Sequence, residues 1–103
     1  MNLYLVFFLG YIQPNALSSF LNSRQEIRNW YSFGSVLSIV STASVTEIQN
    51  ILLQLFYSQS FVVTPIYGPY TGGNMPKQFW EFINNPTDSG YWPAIPQQQP
   101  PQQ

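Results

Sequence analysis

Leu3-Tyr4-Leu5-Val6-Phe7-Phe8-Leu9 is apolar at every position, and the reading of this run decides the architecture of the chain. A strand with one face in water alternates apolar and polar residues, whereas a strand covered on both faces reads as an unbroken apolar run. The run therefore predicts a central strand with cover on both sides. A membrane span needs about 20 apolar residues, roughly twice what the stretch to Ile12 offers. A secretory signal has Lys or Arg ahead of its apolar stretch; none precedes Leu3, and Gln13-Pro14-Asn15 closes the run as a turn. We expect a buried strand in a cytoplasmic protein without membrane contact, with a signal peptide as the alternative.

Working outward, Pro14 suits a first helical turn. Leu17, Phe20, Leu21, Arg24 and Ile27 or Arg28 then recur at helical spacing, predicting a helix over 14–28. Trp30-Tyr31-Ser32-Phe33, Gly34 and Val36-Leu37-Ser38-Ile39-Val40-Ser41 read as a hairpin. Ser44-Val45-Thr46-Glu47 has the form of a capping box, in which the hydroxyl accepts from the Glu47 amide and the carboxylate returns to the Ser44 amide. Ile48, Ile51, Leu52, Leu55 and Phe56 follow at i, i+3, i+4, i+7 and i+8, an apolar stripe on a helix running to about Tyr57. Phe61–Tyr67 is strand-like, but Pro65 has no amide for a ladder, so this strand belongs at an edge or ends early.

Gly68-Pro69 and Gly72-Gly73 interrupt the pattern. Pro76 then opens a short helix through Phe79, Trp80 and Ile83, stopped by Asn84-Asn85-Pro86. From Pro93 to Gln103 the chain is four Pro, five Gln, Ala94 and Ile95, a composition with too little apolar surface to offset its ordering entropy and with a polyproline-like default. Tyr91 and Trp92 stand just before it as anchors. The organisation is thus a βαββαβ core over 1–67, a connector with a short helix packed on the core over 68–92, and a Pro/Gln-rich tail over 93–103. Strand, helix, strand, strand, helix, strand is the order of a ferredoxin-like α+β sandwich. Two helices cover one sheet face in that fold, so a first strand greasy on both sides requires a second cover. We expect a dimer or higher oligomer packed through the open face, helped by the third helix, with Tyr4, Val6 and Phe8 at the interface, because monomers rarely leave an apolar patch of several hundred Å² in water.

Composition removes most chemistry. Of 103 residues only 7% are charged, against about 25% in an average soluble domain. There is no Cys and no His, which excludes disulfides, thiolate and imidazole ligands, and Ser-His-Asp or Cys-His catalysis. Three cations, Arg24, Arg28 and Lys77, make no basic stripe, so a monomer is expected to bind nucleic acid poorly. The acids are Glu26, Glu47, Glu81 and Asp88. Glu47 reads as a cap, Glu81 as the i+4 partner of Lys77, and Asp88 as a turn residue hydrogen-bonding its own backbone. Gly68–Asn74 lacks the Gly-Lys-Ser/Thr ending of a phosphate loop and reads as a connector. Eight Phe, seven Tyr and three Trp read as core and interface rather than base-stacking platforms, which also need cations. Pro93-Ala94-Ile95-Pro96 has PxxP spacing without a basic anchor. No metal or other cofactor is expected.

The Tyr4-Leu5-Val6 opening, Trp30 before a turn, a strand ending in Ser41-Thr42, the Ser44-x-x-Glu47-Ile48 helix start, Phe61-Val62-Val63 and a late helix carrying Trp80 resemble the small Cas2 and VapD type proteins, including those labelled SinR-like, over about residues 3–84. That resemblance implies a ferredoxin-like fold and a nuclease ancestry in which an Asp ends the first strand and pairs across a dimer to hold a divalent metal. Here that position falls on Leu9, or within one residue on Phe8 or Gly10. None can ligate a metal, so the catalytic role is not carried over. The expectation is a non-catalytic, self-associating subunit or adaptor, with Trp30, Tyr70, Trp80, Tyr91 and Trp92 as candidate binding residues and a possible protein partner at the tail. The alternatives are a metal-dependent nuclease with acids at Glu26, Glu81 or Asp88, and a structural or secreted polymer-forming protein.

Overall fold

A computed structural model describes residues 1–88; the tail over 93–103, with Tyr91 and Trp92, lies outside them. The chain runs β1 (Asn2–Phe8), α1 (Pro14–Asn22), β2 (Ile27–Phe33), β3 (Val36–Ser41), α2 (Val45–Leu55), β4 (Phe61–Pro65), a single 3₁₀ turn (Gly68–Tyr70) and α3 (Lys77–Asn84). The four strands form one sheet in the order β2-β3-β1-β4, with every neighbouring pair antiparallel. Over the described residues it is a small α+β fold with three α-helices.

Most elements stand where the residue pattern puts them. The capping box is complete: the Glu47 amide donates to Ser44 Oγ at 3.2 Å and the Ser44 amide to Glu47 Oε1 at 2.8 Å. Pro65 ends β4, which is an edge strand. The β2–β3 hairpin turns on Gly34 at φ +59°, a left-handed conformation that a Cβ penalises. The first helix is shorter than its periodicity implies. It stops at Asn22, and Arg24, Ile27 and Arg28 do not belong to it. The Ser23 hydroxyl donates back to Phe20 O at 2.7 Å and its amide reaches Ser19 O and Phe20 O, satisfying carbonyls at the end of the helix. Ile27 instead opens β2 and is fully buried, so its agreement with the helical repeat is coincidental.

On one side of the sheet, Tyr4, Val6 and Phe8 of β1 and Leu37 and Ile39 of β3 meet Leu17 and Leu21 of α1 and Ile48, Ile51, Leu52 and Phe56 of α2. Phe8 stacks on Phe56 with centroids 4.7 Å apart. The Tyr4 hydroxyl donates to Ala43 O at 2.6 Å, which satisfies the one polar atom this tyrosine takes into the core. On the other side, Leu3 and Val40 pack under Phe79 and Ile83 of α3. Tyr31 is half-buried beside Phe79 and Phe82. The 3₁₀ turn is clamped to the end of α3 by Gly68, where a Cβ would stand 2.5 Å from Asn84 Oδ1 and 2.7 Å from Ile83 O.

Candidate functional site

The strand ladder sorts the α3 side of the sheet into three transverse rows, because directly paired residues project to the same face. Asn29, Val40 and Leu3 are aligned, with Ile66 joined through its amide to Leu3 O at 3.0 Å. Tyr31, Ser38, Leu5 and Thr64 follow, then Phe33, Val36, Phe7 and Val62. α3 seals the first row and half-covers the second. In the third, Phe7, Phe33 and Val62 remain 47%, 51% and 59% exposed. This row crosses all four strands without a polar residue.

Tyr4, Val6 and Phe8, expected at an oligomer interface, lie instead beneath α1 and α2 and are 3%, 0% and 3% exposed. The correction is one of parity. β1 is apolar on both faces, and side chains alternate along a strand, so the residues of its less covered face are Leu3, Leu5 and Phe7. The third helix, expected to pack on the core, supplies part of the second cover, since α3 shields the Leu3 and Val40 end of that face.

The candidate binding residues do not converge. Trp30 packs at the edge of the α1/α2 core, its Nε1 donating to Asn22 Oδ1 at 2.8 Å. Trp80 belongs to the α3 cluster, with its Nε1 on Met75 O at 3.1 Å and its ring edge-on to Phe79. Tyr70 is 89% exposed and meets Tyr67 edge-to-face at 5.1 Å. Tyr91 and Trp92 lie outside the described residues. The sequence reading passed over Phe7, Phe33 and Val62; the available signal was their equal register across the hairpin and β1, with all three apolar.

The acids are dispersed in role. Ser44 holds the Glu47 carboxyl below its ordinary pKa, mainly through the backbone hydrogen bond. Lys77 Nζ lies 3.7 Å from Glu81, both exposed. Asp88 accepts from Arg28 Nε at 2.9 Å, across 60 residues of sequence, so it ties the end of the described chain to β2 rather than serving only its own turn. Glu26, Arg28 and Asp88 line a shallow recess of about 410 Å³ at that end of the sheet. Among the described residues no three acids gather to hold a metal ion, and no helix is long and apolar enough to cross a membrane. A larger cleft of about 640 Å³ opens between Leu3, Val45, Ile66, Tyr67 and Ile83, with no charged side chain on its walls. Three of its polar side chains are already engaged: Asn2 Nδ2 donates to Ala43 O, Asn84 Nδ2 to Trp80 O, and Ser44 Oγ accepts from the Glu47 amide.

Scans against protein-family models, curated proteins and solved structures returned no match.

Proposed function

We propose that this chain is a non-catalytic, self-associating subunit with a ferredoxin-like βαββαβ core of the Cas2 and VapD type, and that its working surface is the row Phe33, Val36, Phe7 and Val62. Support for the fold comes from the strand order β2-β3-β1-β4 with α1 and α2 on one face. The first strand ends at Phe8 and is followed by Leu9 and Gly10, which offer no carboxylate for the metal chemistry of that family. The observation that carries the self-association reading is the half-exposed apolar row itself.

The strength of such a contact follows from its size. Three half-exposed side chains release roughly 300 Å² per copy, well below the roughly 1,200–2,000 Å² of total area that stable complexes bury. The association is therefore weak and reversible, with a Kd of order 100 µM, suited to a subunit held by several contacts at once. Sedimentation equilibrium from about 10 to about 500 µM tests it. A rise in mean mass with concentration, abolished by Phe7→Ser, is expected; a constant monomer mass throughout overturns the reading.

A further inference from the structure

The two edges of the sheet are finished differently. β2 bulges between Ile27 and Asn29, with the charged Arg28 at the bulge. Its Trp30 amide is taken by Asn29 Oδ1 at 2.9 Å, while Asn29 Nδ2 and Arg28 Nε hold Thr87 O and Asp88. Bulges, charge and cover are the devices that keep an edge from pairing. β4 has fewer of them. The bonds from the Ile66 amide to Leu3 O and from the Leu9 amide to Ser60 O fix the parity of its ladder: residues 60, 62, 64 and 66 bond toward β1, so Phe61, Val63 and Pro65 turn their backbone groups outward. Pro65 has no amide, and its carbonyl accepts from Thr64 Oγ1 at 3.2 Å. What remains on the outer edge is the amide and carbonyl of Phe61 and of Val63, without a hydrogen-bond partner among the described residues. No charged residue occurs from Gln59 to Tyr67.

We infer that this edge takes the β4 strand of a second copy, antiparallel, about a two-fold axis at Val62. That register is self-complementary. Phe61 and Val63 each face the other in the partner strand, so all four outward amides of the two copies meet carbonyls, and Pro65 falls beyond the bonded pairs. Moving the axis to Val63 would set Phe61 opposite Pro65, where its carbonyl meets no amide. The side chains match as well: Phe61 lies across from Val63 on the α2 side, and Val62, 59% exposed, lies across from itself on the α3 side. The row Phe33, Val36, Phe7 and Val62 then runs unbroken over eight strands. Two such pairs meeting face to face bury roughly 1,200 Å², four times the roughly 300 Å² of one copy, which is where stable complexes begin. Four backbone hydrogen bonds alone do not offset the freedom a second body loses, so the edge pair fills only when the row is covered too. The inference deepens the self-association reading and rests on it for the strength of the assembly.

The chain has no Cys, so a single introduced thiol reports on this pairing without interference. Across the axis the two Cα atoms at position 62 stand about 4.5 Å apart, within the span of a disulfide. At position 64, exposed on the same strand, the two copies are offset by four residues, about 13 Å. With oxidised glutathione and about 100 µM full-length protein, Val62→Cys is expected to form covalent dimer at least about ten-fold faster than Thr64→Cys. Val63→Pro, which removes an outward amide and leaves the β1 ladder whole, should bring the Val62→Cys rate down to that of Thr64→Cys. Equal rates for Val62→Cys and Thr64→Cys overturn the inference, and would also follow if the edge took a strand of another protein. Sedimentation equilibrium over about 10–500 µM keeps the two readings apart. If mass rises with concentration and Phe7→Ser abolishes the rise, while Val62→Cys links no faster than Thr64→Cys, edge pairing is overturned and the row reading stands. If Val62→Cys links selectively and at the same rate in a Phe7→Ser background, the edge contact stands and the row reading fails.

Discussion

Phe7→Ser separates the role proposed for the row in association from its role in folding. Phe7 lies on a central strand, with Val36 and Val62 directly opposite, and 47% of its surface is still in water. Fully burying a phenylalanine contributes up to about 3 kcal/mol, so roughly half, about 1.4 kcal/mol, is left to be gained on association. In a two-fold contact both copies contribute, giving about 2.8 kcal/mol, or a hundred-fold in Kd. Sedimentation equilibrium of Phe7→Ser should therefore find a monomer over the concentrations at which the unsubstituted chain associates. Leu53→Ser is the matched control: Leu53 is 46% exposed on α2, away from the row, and its loss should leave Kd within a factor of two. The folded monomer gives up the other half of the Phe7 burial, so a urea midpoint lower by the equivalent of about 1.5 kcal/mol is expected as well. Equal effects of Phe7→Ser and Leu53→Ser on Kd would refute the reasoning, because they would show a response to general greasiness rather than to this row.

Three further expectations concern the scaffold. Gly68→Ala drives a Cβ against Asn84 Oδ1 and the Ile83 carbonyl; the backbone oxygen cannot yield without moving α3, so chemical denaturation should show a loss of about 1–3 kcal/mol, and a loss under 0.5 kcal/mol would refute the clamp. Ser38 is fully buried on the α3 face, with no hydrogen-bond partner for its hydroxyl among the described residues. Ser38→Ala should therefore hold or raise the thermal midpoint, by up to about 1 kcal/mol, whereas a clear drop would reveal a partner for that hydroxyl. The Glu47 carboxyl is held below its ordinary value near 4.5 by the Ser44 amide. A lowered folded pKa contributes stability above the unfolded value, and that contribution is lost as pH falls through the folded one. Between about pH 6 and pH 3, stability from urea titrations should fall more steeply for the unsubstituted chain than for Glu47→Gln; parallel profiles would remove the carboxylate from the cap.

How much of this was legible in the sequence differs from element to element. The start of α2 was readable because a capping box is a local device: Ser44 and Glu47 satisfy each other's amides within one turn, and no distant residue can overrule them. Pro65 announced the edge strand for the equally local reason that it carries no amide. The end of α1 was not readable from periodicity, since Leu17, Leu21 and Ile27 all face one core while only the first two are helical. The Ser23 hydroxyl that turns back on Phe20 was the overlooked signal. Reading β1 as apolar on both faces correctly required two covers, but an apolar run has no alternation and so cannot say which parity meets which cover. That ambiguity put Tyr4, Val6 and Phe8 on the wrong side. The Arg28–Asp88 pair was hidden for a different reason, its partners being 60 residues apart.

The row is left open because of the length of one helix. The three rows of this face stand about 7 Å apart along the strands, so they span about 14 Å, and four strands at about 4.8 Å give a similar width. α3 has eight residues, about 12 Å of helix about 10 Å across. A footprint of that size cannot cover a field of about 14 by 14 Å plus the reach of its outer side chains, whichever way the helix lies on it. Because Asn84-Asn85-Pro86 stops α3 at that length, the end of the sheet farther from Leu3 has to look elsewhere for its cover. The end of α3 clamped to Gly68 is the Ile83–Asn84 end, beside Leu3, so inserting one further amphipathic turn ahead of Phe79, in phase with Phe79 and Ile83, should protect Phe7 and weaken self-association as strongly as Phe7→Ser does, with monomer stability raised rather than lowered. Self-association that persists beneath such a lengthened helix would place the contact on some other surface.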